Sequence, residues 1–127
     1  MATPQKTILV VDDELDLHEV LRARLESEGF VLHDAYEGET ALRLAEQVKP
    51  DVVLIDVMMP GMDGFEVCQR IRQIHPQAKI IIYMAKVDGV DSNRARLAGA
   101  DLFTIKTQRL VLLVSSIRRV LESKEPQ

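Results

Sequence analysis

At 127 residues the chain is one domain, long enough to bury a core, and its 46% apolar and 28% charged residues are those of a soluble globular protein. A net charge of −4 gives no basic footprint for nucleic acid or an anionic membrane. The single Cys68 excludes an intrachain disulfide, and with no run of transmembrane length and no signal-peptide pattern the expected location is the cytoplasm.

Met1 to Gln5 read as a flexible N-terminus, residues 6–121 as the folded domain, and residues 122–127 as a tail or linker stub. The first strand is expected over Thr7 to Val11. A helix follows from Glu14 to Glu28, with Leu17, Val20, Leu21 and Leu25 on one face and Gly29 as its stop. Phe30 to Ala35 reads as the second strand. Gly38 to Val48 reads as the second helix, with Ala41, Leu42 and Ala45 inward and Lys49-Pro50 ending it. Strand three is Val52 to Ile55, and a turn follows at Pro60 to Gly64. The third helix, Phe65 to Ile74, buries Val67, Cys68, Ile71 and Ile74, and Pro76 breaks it. Lys79 to Ala85 is the most apolar strand. Val90 to Leu97 lacks a clean apolar stripe but fits a fourth helix. Leu102 to Ile105 is the fifth strand, and the spacing of Leu110, Leu113, Val114, Ile117, Val120 and Leu121 predicts a fifth helix.

Strands alternating with helices imply an α/β fold with a doubly wound parallel sheet. Strand order 2-1-3-4-5, the flavodoxin-like arrangement, is the common five-stranded solution. It places the first and third strands side by side at the switch point, where ligands bind outside the carboxyl ends of strands. Asp12 and Asp13 follow the first strand, Asp56 the third and Lys106 the fifth. Three carboxylates and one ammonium therefore meet at one edge of the sheet.

Such a cluster repels itself unless a cation sits in it. Mg²⁺ suits three oxygen donors, because it keeps waters and phosphate oxygens in its shell. A lysine opposite would bind a second anionic group as a point charge. Carboxylate nucleophile, metal and lysine together fit phosphoryl transfer onto an aspartate. The plainer alternative makes Asp12, Asp13 and Asp63 helix N-caps, which leaves Lys106 and the doubled Asp12-Asp13 without a role. Nucleotide binding has no support, as neither a GxGxxG nor a phosphate loop is present.

Three segments carry a resemblance: Ile8-Leu-Val-Val-Asp-Asp-Glu14, Asp56-Val-Met-Met-Pro-Gly-Met-Asp-Gly64 and Gly99-Ala-Asp-Leu-Phe-Thr-Ile-Lys106. In them the chain resembles the receiver domain of two-component response regulators, of the chemotaxis single-domain type, over roughly residues 6 to 121. The resemblance implies that Asp56 is the phosphoacceptor, served by a histidine kinase or phosphotransfer protein. It implies Mg²⁺ held by Asp13 directly, by Asp12 through water or as outer support, by Asp56, and by the backbone carbonyl of Met58. Lys106 would pair with the acceptor and then with a phosphoryl oxygen. Phe103 matches the aromatic switch position, although the residue read alone fits ordinary packing. The fourth helix, fifth strand and fifth helix would form the output surface, where Val111 and Leu112 lie off the buried stripe beside Arg118 and Arg119. No enzyme activity is implied beyond the domain's own phosphorylation and dephosphorylation. An aspartyl-phosphate phosphatase would want a second carboxylate where Met58 stands.

Two positions depart from the family pattern. Met84 stands where the switch Ser or Thr belongs, followed by the expected small residue Ala85. Thr107 replaces the proline that follows the lysine. Tyr83 carries a hydroxyl, but strand alternation sends it to the face opposite Met84, which makes it a poor substitute. A thioether offers no donor. The expectation is therefore a receiver with an altered switch; the alternative is a pseudo-receiver that binds partners without phosphorylation.

Overall fold

Five short, largely β-branched runs build the centre of the chain, as seen in a computed structural model that describes residues 5–59, 61–84, 89–105 and 110–122. They are β1 (Thr7–Val11), β2 (Val31–Ala35), β3 (Val52–Asp56), β4 (Lys79–Met84) and β5 (Leu102–Ile105). All neighbours pair in parallel, in the order β2-β1-β3-β4-β5. The helices are α1 (Leu15–Ser27), α2 (Gly38–Val48), α3 (Gly64–Ile74), α4 (Gly89–Ala98) and α5 (Leu110–Glu122).

Alternation along each strand divides the core in two. Leu9, Val11, Val53, Ile55, Ile80, Ile82 and Met84 pack with residues of α2, α3 and α4. Ile8, Val10, Val52, Leu54, Ile81 and Tyr83 pack with Leu21 and Leu25 of α1 and Val114, Ile117 and Val120 of α5. Both faces of β1, β3 and β4 are thus covered, which is why these strands read as unbroken apolar runs rather than alternating ones.

The boundaries have local causes. Gly29, at φ 95°, closes α1. Its N–H donates to the Glu26 carbonyl and that of Phe30 to the Leu25 carbonyl, the paired bonds of a glycine C-terminal stop. Asp63 caps α3 by accepting from the Glu66 N–H at 2.9 Å. Arg72 near the end of α3 donates to the carbonyls of Ala78 (2.6 Å) and Gly99 (2.7 Å) and to Asp101 (2.7 Å). Asp101 also accepts from the Ile80 N–H. One guanidinium therefore ties α3 to the start of β4 and to the turn entering β5.

Two expected core positions are corrected. Val20 is 48% exposed, and His18 holds the place on the buried face of α1 beside Leu21 and Leu25. At 100° per residue, position 20 lies far round the helix from 18, 21 and 25. Ile74 is 38% exposed, because the last residue of α3 has no further turn to shelter it.

Candidate acidic phosphoacceptor site

Asp12 leaves β1 and Asp56 ends β3, and these strands are neighbours. One carboxylate oxygen from each of Asp12, Asp13 and Asp56 lies within 4.8 Å of the others. Asp12 and Asp56 are buried, while Asp13 is exposed at the mouth. The predicted meeting of three carboxylates is therefore present. Lys106, Ala85 and Thr107 lie outside the described residues.

The cap alternative holds for Asp63 and fails for the other two. The residue before α1 is Glu14, which makes no side-chain cap bond. Asp12 instead accepts from the Glu14 N–H at 2.8 Å through Oδ1. Asp56 accepts from the Met58 N–H at 3.0 Å, so the loop after β3 folds back on its own carboxylate. The Met58 side chain projects into solvent, 74% exposed. Gly64 lets this loop pack closely: a Cβ there would come within 2.6 Å of the Asp56 carbonyl oxygen and the Val57 Cα. The glycine ending the motif is thus a requirement of close approach to backbone.

Met84 is buried in the face shared with α2, α3 and α4. Phe103 is 37% exposed on the edge strand.

Sequence reasoning missed two contributors. The first is Tyr83. Its ring does lie opposite Met84, but Asp12 and Asp56 share its side of the sheet. Asp56 is its partner in the β3–β4 register. Its hydroxyl donates to Asp12 Oδ2 at 2.6 Å. The expected face, opposite Met84, is the one observed; what the sequence reading lacked is that Asp12 and Asp56 lie on that face. Alternation carried across to β1 and β3 gives the signal: Ile8, Val10 and Asp12 have one parity, as do Val52, Leu54 and Asp56. Burial, then the adjacent Asp12 carboxylate, push the phenol far above its ordinary value, so it remains a protonated donor.

The second is His18. Its Nε2 donates to the Asp12 carbonyl at 2.6 Å, and its Nδ1 meets the Asp34 carboxylate at 2.7 Å. Asp34 is also paired with Arg22, and the Tyr36 ring lies 4.4 Å from the imidazole. Asp12 is held by its backbone from one side and by its carboxylate from the other.

Three hard oxygen donors, two of them buried, are the donor chemistry of a divalent-cation pocket, and Mg²⁺ fits it. The described residues include no helix long and apolar enough to cross a membrane.

Comparison with known proteins gives a consistent picture. A family model described as the response regulator receiver domain matches residues 8–118. The chain is 38% identical over 117 residues to the probable transcriptional regulator ycf27 of Guillardia theta, covering 92% of this chain and 46% of that protein. It is 36% identical over 127 residues to the DNA-binding response regulator MtrA of Mycolicibacterium smegmatis, covering 100% of this chain and 55% of that one. The chain thus spans about half the length of these curated relatives. A CheY-like response regulator receiver domain protein from Methanospirillum hungatei superposes with a TM-score of 0.89 at 26% identity, over 94% of this chain and 95% of that one.

Proposed function

Because this chain belongs to the response regulator receiver family of two-component signalling, we propose that Asp56 accepts a phosphoryl group from a histidine kinase or phosphotransfer protein. The observation that carries this reading is the convergence of Asp12, Asp13 and Asp56 at the carboxyl edge of a β2-β1-β3-β4-β5 sheet. An Asp56 oxygen attacks phosphorus as the bond to the donor's imidazole nitrogen breaks, and the imidazole leaves. Asp12, Asp13, Asp56 and the Met58 carbonyl would hold Mg²⁺. The ion would neutralise the carboxylates and the incoming phosphoryl oxygens. Lys106 supplies the opposing cation. The chain acts on itself alone, promoting its own phosphorylation and dephosphorylation, and works in the cytoplasm.

The finer feature of the reading is an altered switch. Met84 offers no hydrogen-bond donor where a hydroxyl would draw in the loop after β4. The second reading is a pseudo-receiver whose partners bind regardless of phosphorylation, and it is supported by Met84 packing on the sheet face opposite Tyr83 and Asp56. The output partner would dock on α4, β5 and α5, where Leu97, Phe103 and Ile105 are exposed. The relatives named as DNA-binding or transcriptional regulators carry about as much chain again, so the output could be covalently attached in such proteins. Arg118 does not serve that surface, being engaged with Glu28 and lying 5.5 Å over the Phe30 ring. The side chains of Val111 and Leu112 lie outside the described residues.

Acetyl phosphate labelling with and without Mg²⁺ tests the reading. Metal-dependent incorporation of one phosphoryl group, lost in Asp56→Asn, is the expected result. Equal labelling of the variant would refute the acceptor assignment, and no labelling of the parent would leave the pseudo-receiver.

A further inference from the structure

Tyr83 is the one side chain at the acidic pocket, among the described residues, that reaches it from the neighbouring strand β4 as a neutral donor. It is 2% exposed, and its ring is clamped between sheet and helices by the face that also holds Leu21, Val114 and Ile117. The phenol therefore has little freedom to turn away. Asp12 has a second support on Oδ1 from the Glu14 N–H, and its carbonyl is held by His18. The carboxylate would stay in place if the phenol bond were lost.

We propose that Tyr83 is a positioning residue that sets the divalent-cation affinity of the pocket: its hydroxyl competes with the cation for the charge on Asp12. The inference rests on the acidic cluster being a cation site, as the proposed function requires. In the cation-free protein the phenol is one of the groups that offset a buried negative charge beside two other carboxylates. Once a cation is bound, that compensation is partly redundant. Removing the hydroxyl should therefore disfavour the free state more than the loaded one, and the thermodynamic cycle requires tighter binding. The same contact keeps Asp12 Oδ2 turned toward β4, which suits Asp12 as outer support and leaves direct ligation to Asp13 and Asp56.

The test compares the parent and Tyr83→Phe by calorimetric titration with Mg²⁺ alone. The ring is retained, so the packing of the β4 face is kept. The variant should bind Mg²⁺ roughly three- to tenfold more tightly, as expected when the loaded state keeps about half of what a hydrogen bond to a charged group contributes in the free state. It should also melt at a lower temperature without the metal and recover most of the difference with it. A merely structural role would lower both melting points equally and leave the affinity unchanged.

A second measurement needs no change at position 83. The chain has two tyrosines and no tryptophan, so Tyr36→Phe leaves Tyr83 as the sole fluorophore. A phenol bound to a carboxylate is quenched, and Mg²⁺ should raise its emission along the calorimetric isotherm. Unchanged or weaker binding in Tyr83→Phe, or emission indifferent to Mg²⁺ that the parent demonstrably binds, overturns the inference. A parent that binds no Mg²⁺ at all overturns the proposed function instead.

Discussion

Met84→Thr separates acceptance of a phosphoryl group from response to it. Met84 is 2% exposed and ends β4 in the core shared with Ile55, Ile82 and Ala95. Truncating a buried methionine to alanine costs about 2–5 kcal/mol. Threonine retains a methyl group but brings a hydroxyl that is costly to bury without a partner, so about 2–3 kcal/mol is expected without phosphate. In a domain of this size that is a fall in melting temperature of roughly 8–12 °C. With the acceptor phosphorylated, or loaded with beryllium fluoride, the hydroxyl gains a charged partner only if the last residue of β4 turns toward the Asp56 side of the sheet, opposite the face on which Met84 packs. Such a bond contributes about 1.5–3 kcal/mol, roughly ten- to a hundredfold in the switching equilibrium. Amide spectra recorded with and without beryllium fluoride provide the assay. The parent should shift near Asp56 and little at Phe103, Ser92 and Asn93, whereas the variant should shift at all of them. Large, equal shifts in both proteins would refute the reasoning, showing that this receiver switches without a hydroxyl at position 84.

Asp56→Asn should stabilise the metal-free protein by about 2 kcal/mol, since like charges no more than 4.8 Å apart cost at least roughly 1–3.5 kcal/mol per pair across the relevant dielectric range; thermal melts without Mg²⁺ check this, and a lower melting point would contradict it. Burial pushes the Cys68 thiol up to about 12, with Arg72 opposing more weakly, and its Sγ donates to the Ala98 carbonyl at 3.4 Å. Iodoacetamide should therefore label it only on unfolding. Because the folded value lies above the unfolded one, the thiol's contribution to stability is fully present below about pH 9 and is lost as pH rises toward 12, which denaturant melts across that window can follow. Arg118→Glu places a carboxylate against Glu28 and removes the cation over Phe30. A loss of about 1 kcal/mol in chemical denaturation is expected, discounted for the exposure of the pair, with phosphorylation of Asp56 unchanged.

The sequence by itself determined the elements and their order. Buried parallel strands must be short apolar runs, and right-handed crossovers leave few ways to arrange five of them. Asp12, Asp13 and Asp56 were legible because each follows such a run, and chain topology alone brings the ends of β1 and β3 together. Helix faces were less legible. Val20 and His18 differ by two positions on α1, and hydrophobicity favours the valine. The structure buries the histidine because the Asp12 carbonyl and the Asp34 carboxylate satisfy its ring nitrogens. Tyr83 shows the same limit in the site. Alternation within β4 separates it from Met84, but only the pairing of β4 with β3, and of β3 with β1, fixes which carboxylates share its side. Periodicity is a property of one segment and can be read along the chain. The partner of a buried polar group is a property of the space between segments, so the packed sheet decided that the hydroxyl of Tyr83 meets Asp12.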